Sequence, residues 1–312
     1  MKPFRKNLAI AIDGGGIRGV IVTRALSMLE KELGQPIGKV ARLYAGTSTG
    51  SIISACLASG MTAANIHELY LKLGETIFRK SWRTLFFPLT RYRYPQEPLE
   101  AALHEQLGDM KMKDLWANLS LIDVVITTFD VLTNKTLFIK PWKLQYQDWS
   151  LVKAVLASSC VPTYFPLVDG VYADGGVGSY ANPCYLAAYE LNYCLGWKPE
   201  ETTLISIGTG RSPNTLKPGD PARMQAWDWL EPLLDAFLAS ANDQQVVLVQ
   251  SFFKYLDFRR FEVDMSRSIE MDDPTCIPEL LEYGTQMGNK ILKDESESGQ
   301  KMLPAKARRV VK

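Results

Sequence analysis

A serine stands between two glycines in Gly46-Thr-Ser48-Thr-Gly50, directly after the short apolar run Leu43–Ala45. Glycines two residues before and after a serine allow a sharp turn from a strand into a helix, which exposes the hydroxyl in strained geometry. The first amides of the following helix, predicted over Ser51–Ser59, point towards the same place. The motif therefore favours Ser48 as a nucleophile. Close packing of a small-residue helix is the alternative reason for the glycines.

A second glycine cluster, Asp13-Gly14-Gly15-Gly16-Ile17-Arg18-Gly19, follows the apolar run Asn7–Ile12 and precedes a segment with helical spacing. Consecutive glycines leave backbone N–H groups unshielded at a helix start, and this concavity binds a phosphate or a developing oxyanion. A dinucleotide-binding loop would also fit the glycine spacing, but the acidic residue expected after a second strand is replaced by Tyr44-Ala-Gly-Thr-Ser. A P-loop needs a final Gly-Lys-Ser or Gly-Lys-Thr, which this loop lacks. The motif alone leaves an anion nest and an oxyanion site equally open.

A nucleophilic serine needs a base, and the chain has only two histidines, His67 and His104. An α/β-hydrolase triad requires a histidine late in the chain, and the count excludes a zinc site with three histidines. Asp174 precedes Gly175 and Gly176 at the end of a predicted strand, which makes its carboxylate the natural candidate. The alternative is an aspartate that accepts hydrogen bonds from the amides of its own turn. Both histidines are expected on helix surfaces.

The three motifs, in this order, resemble those of the patatin-like phospholipase family, which has a DGGGxRG or DGGGxKG loop, then GxSxG, then DGG or DGA. They stand here as Asp13–Gly19, Gly46–Gly50 and Asp174–Gly176. Shorter stretches also look alike, namely Ala157–Pro166, Ala181–Pro183 and Ile205–Gly210. The resemblance covers residues 7–212 and is specific because several spaced motifs agree.

The resemblance implies an α/β sandwich of three layers with a mainly parallel sheet. It also implies an enzyme that hydrolyses lipid acyl esters, as a phospholipase A or lysophospholipase does. It implies a catalytic dyad in which Ser48 attacks and forms an acyl-enzyme while Asp174 acts as general base. It also implies that neither a cofactor nor a metal ion takes part. The oxyanion would be held by the amides of three residues, Gly14, Gly15 and Gly16.

Two further residues are assigned to substrate binding. Thr49 follows the serine and is expected to assist at the oxyanion. Arg18 is expected to fix the glycine loop or to meet a lipid phosphate, with a solvated position on a helix as its alternative.

Composition bounds the class of protein. Of 312 residues, 46% are hydrophobic and 22% charged, as in soluble globular chains. The formal charge of +1 argues against a dedicated nucleic-acid binder. No apolar run reaches the roughly 18 residues of a membrane-spanning helix, and Leu8–Ile12 is too short for a signal peptide. We therefore predict a cytoplasmic protein. Five cysteines without a CxxC pair predict buried thiols.

The order of elements predicts one domain. Strand, tight turn and helix occur twice in succession, which favours an α/β fold with a largely parallel sheet. A single domain is expected over residues 1–292, with a helical remainder at 213–292 that holds one candidate strand at 258–263. Phe165–Val168 and Val171–Ala173 are predicted to form a hairpin around Asp169-Gly170. Residues 293–312 read as a charged tail.

Residues 79–94 interrupt this pattern with aromatic and basic residues. Trp82, Leu85, Phe86 and Phe87 lie among five cations: Arg79, Lys80, Arg83, Arg91 and Arg93. Such a segment resembles an interfacial anchor for peripheral contact with a phospholipid membrane. A loop that packs on its own domain is the alternative. Two other functions stay open: an esterase for small soluble acyl esters, and a non-catalytic module that binds lipid or nucleotide.

Overall fold

The computed structural model describes residues 1–79, 81–87, 89–117, 122–213, 216, 219–225 and 230–297. It is an α/β fold in which a mostly parallel sheet lies between two layers of helices, as predicted. The strands are β1 (Asn7–Ile12), β2 (Leu43–Gly46), β3 (Asp123–Asp130), β4 (Lys135–Ile139), β5 (Tyr172–Asp174), β6 (Thr202–Ile207) and β7 (Asp257–Phe261).

The sheet has the order β4-β3-β2-β1-β6-β7. Strands β3, β2, β1, β6 and β7 run parallel, whereas β4 and β5 both pair antiparallel with β3. The carboxyl ends of β1 and β2 are therefore adjacent, and Ile12 pairs with Gly46. This edge of a parallel sheet is where ligands bind in open α/β folds.

Ten α-helices lie in the described part of the chain. They are α1 (Gly19–Leu33), α2 (Thr49–Ala58), α3 (Ala63–Ile77), α4 (Trp82–Leu85), α5 (Glu97–Leu107), α6 (Asp114–Ala117), α7 (Leu151–Ser159), α8 (Cys184–Tyr189), α9 (Leu230–Phe252) and α10 (Ile277–Lys293). None of the described helices is long and apolar enough to cross a bilayer.

Strand β1 is buried on both faces because alternate side chains enter two separate cores. Leu8, Ile10 and Ile12 pack with residues of α1, α2, α3, α7 and α10. Ala9 and Ala11 face α8 and the second half of α9, where small side chains allow the helix layer to approach closely. The alternation produces the expected three layers.

The helix boundaries follow the local signals. Gly34 ends α1 with a left-handed backbone (φ 64°), and the Thr62 side chain accepts a hydrogen bond from the amide of Asn65 to begin α3. The candidate strand in the remainder is β7, which pairs with β6, and α10 packs against α1. The remainder thus completes the same sheet and helix layer.

Two local predictions need correction. Asp169 (φ 53°) and Gly170 (φ 68°) form the predicted turn, but Phe165–Val168 is not a strand and only Val168 bridges to Tyr172. The reason is tertiary, since the Phe165 ring packs against other aromatic rings instead of continuing a ladder. Four cysteines are buried as expected, whereas Cys194 is exposed. Of the predicted tail, residues 298–312 lie outside the described residues.

Candidate active site

Ser48 occupies the turn between β2 and α2. Its backbone has φ 54° and ψ −126°, a conformation that costs a non-glycine residue of the order of 1–3 kcal/mol. The Ser48 amide donates a 2.9 Å hydrogen bond to Ser158 Oγ on α7, which holds the turn in place. The residue is only 7% exposed. Strain stored at a single polar residue at the carboxyl edge of the sheet indicates a functional position.

The flanking glycines are required by packing. A Cβ atom on Gly46 would lie 2.3 Å from the carbonyl oxygen of Gly50, and one on Gly50 would lie 2.2 Å from that of Ile12. Close helix packing therefore explains both glycines, as the alternative interpretation held. The strained backbone belongs to Ser48 itself, so the two interpretations are compatible.

Asp174 ends β5 and is fully inside the protein. Its Oδ1 accepts a 2.8 Å hydrogen bond from the Gly176 amide, which is the turn contact weighed as an alternative. Its Oδ2 is buried and meets no donor in standard hydrogen-bond geometry among the described residues. Burial raises the pKa of Asp174 to about 6, although the nearby Ser48 hydroxyl and the Gly176 amide oppose this rise. A carboxylate with one oxygen unused and a raised pKa has the properties of a general base.

The glycine-rich loop contributes fewer free amides than the sequence suggested. The Gly14 amide donates to the Ala181 carbonyl at 2.9 Å, so it is not available to an oxyanion. The amides of Gly15 and Gly16 have no acceptor in the described part of the chain. Gly14 still lies against the serine, since a Cβ on it would be 3.2 Å from Ser48 Cβ. The expected donor set is therefore reduced to Gly15 and Gly16.

A buried ion pair holds the start of this loop. Arg260 on β7 donates to both carboxylate oxygens of Asp13, at 2.9 and 2.6 Å. The Arg260 guanidinium also contacts Ser206 Oγ and the Glu262 carboxylate. Burial disfavours its charge, but the carboxylates of Asp13 and Glu262 raise the pKa of Arg260 above its ordinary value. No motif in the sequence points to Arg260. The available signal was a run of charged residues inside a short buried strand.

Thr209 holds the loop from the end of β6. Its hydroxyl donates a 2.7 Å hydrogen bond to the Gly14 carbonyl. A Cβ on Gly15 would lie 2.3 Å from Thr209 Oγ1, so the threonine packs directly beneath the loop. The stretch Ile205–Gly210, which contributed to the family resemblance, thus has a structural role in placing the candidate oxyanion donors.

The side chains of Thr49 and Arg18 are both occupied. Thr49 Oγ1 is hydrogen-bonded to the Tyr70 hydroxyl at 2.6 Å, and the same hydroxyl donates to the Thr49 carbonyl. The Thr49 amide, in contrast, opens α2 without an acceptor among the residues described. Arg18 Nε donates to the Gly15 carbonyl at 3.4 Å. This contact ties Arg18 to the glycine loop, and its expected role in substrate binding stays a prediction.

An apolar pocket opens beside Ser48. Gly16, Ser48 and Thr49 lie on its wall. Most of the lining is hydrophobic, and one side of it comes from α2, α3, the residue after α3 and α5: Ile52, Tyr70, Leu73, Ile77, Phe78 and Leu99. Pockets of this kind suit an apolar ligand that is fixed by a few polar groups.

Neither histidine lines this pocket. His67 is half-buried on α3, where its Nδ1 is hydrogen-bonded to Thr23 Oγ1 at 3.0 Å. Burial lowers the pKa of His67, with the Arg24 charge acting in the same direction. His104 is exposed on α5. Because neither histidine lines the pocket, Asp174 remains the candidate base for Ser48.

Comparison with known proteins identifies the family. A family model described as Patatin-like phospholipase matches residues 10–188, more than half of the chain. The chain belongs to the patatin-like phospholipase family. Membership supports an enzyme that hydrolyses lipid esters.

Relatives matched by sequence agree with this assignment. Patatin-like protein 1 from Oryza sativa subsp. indica is 29% identical, over 83% of this chain and 75% of the relative. A cGAMP-activated phospholipase from Vibrio cholerae serotype O1 is 26% identical, over 78% of this chain and 77% of the relative. Among solved structures, VipD from Legionella pneumophila aligns with a TM-score of 0.48 and 14% identity, over 93% of this chain and 67% of that chain.

Proposed function

We propose that this chain is a lipid acyl hydrolase of the phospholipase A or lysophospholipase type, with Ser48 as nucleophile and Asp174 as general base. The observation that carries the proposal is the buried, unused Oδ2 of Asp174 beside a strained serine at the wall of an apolar pocket. Neither a cofactor nor a metal ion is needed for this chemistry.

Acylation begins when Asp174 Oδ2 takes the proton of Ser48 Oγ as this oxygen attacks the ester carbonyl carbon. The tetrahedral intermediate then collapses, the bond to the alcohol oxygen breaks, and Asp174 returns the proton to that oxygen. In the second half, water loses a proton to Asp174 and attacks the acyl carbon; the bond between this carbon and Ser48 Oγ then breaks, Asp174 returns the proton to Ser48 Oγ, and the fatty acid is released. A pKa of about 6 lets the carboxyl group act as base and acid near neutral pH.

The negative oxygen of each tetrahedral intermediate would be held by the amides of Gly15, Gly16 and Thr49. These amides lack acceptors within the described residues, and the Thr49 amide opens α2, whose dipole favours negative charge. The loss of one such donor costs about 2.7–4 kcal/mol in hydrolases where it has been measured. The amide after the nucleophile is a donor in other enzymes with this turn.

The pocket favours a substrate with a long acyl chain. Most of its lining residues are apolar, Ile52 and Leu99 among them. Burial of each methylene of an acyl chain against such a surface contributes about 0.8 kcal/mol. A short soluble ester would leave most of this surface unfilled. The alternative, an esterase for small acyl esters, would therefore gain little from the pocket.

The exposed side chains of residues 79–94 support contact with a membrane beside the pocket. Trp82, Phe86 and Leu89 are 62%, 53% and 87% exposed. Arg79 and Arg91 are also exposed, whereas Lys80 lies outside the described residues. Aromatic side chains favour the headgroup layer, and each cation gains about 1 kcal/mol near an anionic surface.

The same segment adjoins the pocket. Phe78 lines the pocket immediately before it, and the Arg93 guanidinium stacks 4.6 Å from the centre of the Tyr164 ring, which also lines the pocket. A membrane bound to this segment would therefore lie close to the apolar pocket that we propose takes the acyl chain. Phe87 departs from the exposed pattern because it is half-buried beneath Arg93.

The test combines a fluorophosphonate probe with product analysis. The wild type should be labelled and should release fatty acid from vesicles of phosphatidylcholine and phosphatidylglycerol, and Ser48→Ala should do neither. Faster hydrolysis of p-nitrophenyl acetate than of phospholipid would favour the small-ester function. Lipid binding without labelling would identify a non-catalytic module and overturn the proposal.

A further inference from the structure

Asp272 lies in the loop between β7 and α10, outside every motif found in the sequence. Its Oδ2 accepts a 2.9 Å hydrogen bond from the Tyr94 hydroxyl and pairs with Arg93 Nη1 at 3.3 Å. The Asp272 side chain is only 12% exposed. The carboxylate thus joins this loop to the end of the segment 79–94.

The preceding residue contacts the glycine-rich loop. The Met271 carbonyl accepts a 2.9 Å hydrogen bond from the Ile17 amide. A Cβ atom on Gly16 would lie 2.3 Å from the same carbonyl oxygen, so Gly16 packs directly against Met271. A shift of the Met271 carbonyl would therefore move the peptide that carries the Gly16 amide.

The partners of Asp272 are fixed from the other side. The amides of Arg93 and Tyr94 donate to the carbonyls of Thr163 and Tyr164, at 2.9 and 2.8 Å. Tyr94 is 1% exposed, and its ring packs against those of Phe78 and Phe165 in the pocket wall. Asp272 is consequently held by a rigid part of the pocket rather than by a free surface chain.

We propose that Asp272 is a positioning residue: it anchors Met271 to the pocket wall through Arg93 and Tyr94, and Met271 in turn sets the position of the Gly16 amide. The proposal rests on the proposed function, in which this amide stabilises the oxyanion. It also links the segment 79–94 to the glycine-rich loop, since Arg93 lies in that segment and pairs with Asp272.

The expected effect is on turnover and not on substrate affinity. Stabilisation of an oxyanion exists only in the transition state, so a misplaced donor lowers kcat and leaves KM unchanged. Asp272→Ala should lower kcat for p-nitrophenyl butyrate about tenfold and change KM less than twofold. Asp272→Asn retains an oxygen that accepts from Tyr94 and should recover most of the lost kcat.

Hydrogen exchange measures the same link without catalysis. In Asp272→Ala the peptide that contains Ile17 should exchange at least tenfold faster, because the bond from its amide to Met271 is no longer held. Asp264→Ala is the matched control, since Asp264 lies on the same loop with an exposed partner, Arg211. If Asp272→Ala fails to fold, Tyr94→Phe removes the 2.9 Å hydrogen bond alone and should produce the same changes in weaker form.

The outcomes separate the two proposals. Unchanged kcat and unchanged exchange at Ile17 in a folded Asp272→Ala would overturn the positioning role while the proposed function stands. A change in melting temperature or KM alone would overturn it as well. A wild type that hydrolyses no ester would overturn the proposed function. Faster exchange at Ile17 in Asp272→Ala would then restrict Asp272 to a structural role.

Discussion

The Ser48 backbone amide donates its hydrogen bond to Ser158 Oγ, across 110 positions of the sequence. Both groups are buried. The strained turn of the candidate nucleophile is thus stabilised by α7, which lies between β4 and β5 in the sequence, and not by β2, the strand that precedes the turn. The bond also connects the GxSxG motif to the Ala157–Pro166 stretch, whose contribution the sequence did not reveal.

Ser158→Ala should therefore weaken both stability and activity. Removal of the acceptor leaves a buried amide without a partner, which costs about 1–3 kcal/mol. Relaxation of the strained turn should also lower kcat. Ser59→Ala is the control, since Ser59 Oγ only donates to the carbonyl of Cys56. Urea denaturation and ester turnover measure the two effects, and equal stability of the two variants would contradict this role.

Substitution of Ser48 should separate strain from catalysis. Ser48→Ala and Ser48→Gly should both lose ester hydrolysis by several orders of magnitude, since the nucleophile is absent. Glycine adopts φ 54° without a steric penalty. The glycine variant should therefore be more stable than the alanine variant by about 1 kcal/mol. Denaturation midpoints of the two variants provide the comparison, and activity within tenfold of wild type in either would refute the mechanism.

Asp174→Asn should abolish activity and increase stability at alkaline pH. The folded state raises the pKa of Asp174 from 3.8 to about 6, so it binds the proton more tightly than the unfolded chain does. Wild-type stability from this group is complete below pH 4 and is lost as pH rises through 6, by about 3 kcal/mol. Asparagine carries no charge, so its advantage in unfolding free energy should grow by that amount between pH 4 and pH 8.

The pH dependence of the rate checks the same residue. Wild-type kcat/KM should fall tenfold per pH unit below about 6, as the base becomes protonated. The double variant His67→Ala, His104→Ala should keep most activity and the same profile. A folded double variant without activity would assign the base to a histidine. An unchanged stability difference between pH 4 and pH 8 would contradict the burial of charge at Asp174.

Arg260→Gln should be among the most damaging changes outside the candidate site. It leaves the carboxylates of Asp13 and Glu262 buried without their shared cation, which typically costs 3–5 kcal/mol. Arg260→Lys should keep only part of the wild-type stability, because an ammonium group cannot make the two parallel hydrogen bonds to Asp13. Arg211→Gln is the exposed control on the neighbouring turn. Thermal unfolding measures the series, and similar losses for Arg260→Gln and the control would disprove the role.

The combined substitution of Trp82, Phe86 and Leu89 by serine should affect membrane substrates selectively. Loss of exposed apolar surface should lower hydrolysis of vesicles with 30% phosphatidylglycerol about tenfold, while a soluble ester is cut at the normal rate. The control replaces three exposed residues elsewhere, Leu132, Leu144 and Tyr255. A fall in both activities together with the melting temperature would show that the segment packs on its own domain.

Several features could be predicted from sequence because they depend on local geometry. The apolar run of β1, the left-handed glycine that ends α1, and the strand–turn–helix order around Ser48 each follow from neighbouring residues. The scarcity of histidine also directed attention to Asp174. The hairpin at Phe165–Val168 was predicted wrongly because its turn is local, whereas the packing of Phe165 is not.

Long-range contacts decided the rest. Arg260 reaches Asp13 across 247 positions, and Met271 reaches Ile17 through a loop that carries no motif. Tertiary structure likewise decided which glycine amides are available, because the Gly14 amide donates its hydrogen bond to the Ala181 carbonyl. Sequence alone determined which side chains are candidates for the chemistry, since a hydroxyl nucleophile and a carboxylate base are properties of residue type. Only the folded chain decided which donors are free and how strained or buried each group is, because those properties arise from partners distant in sequence.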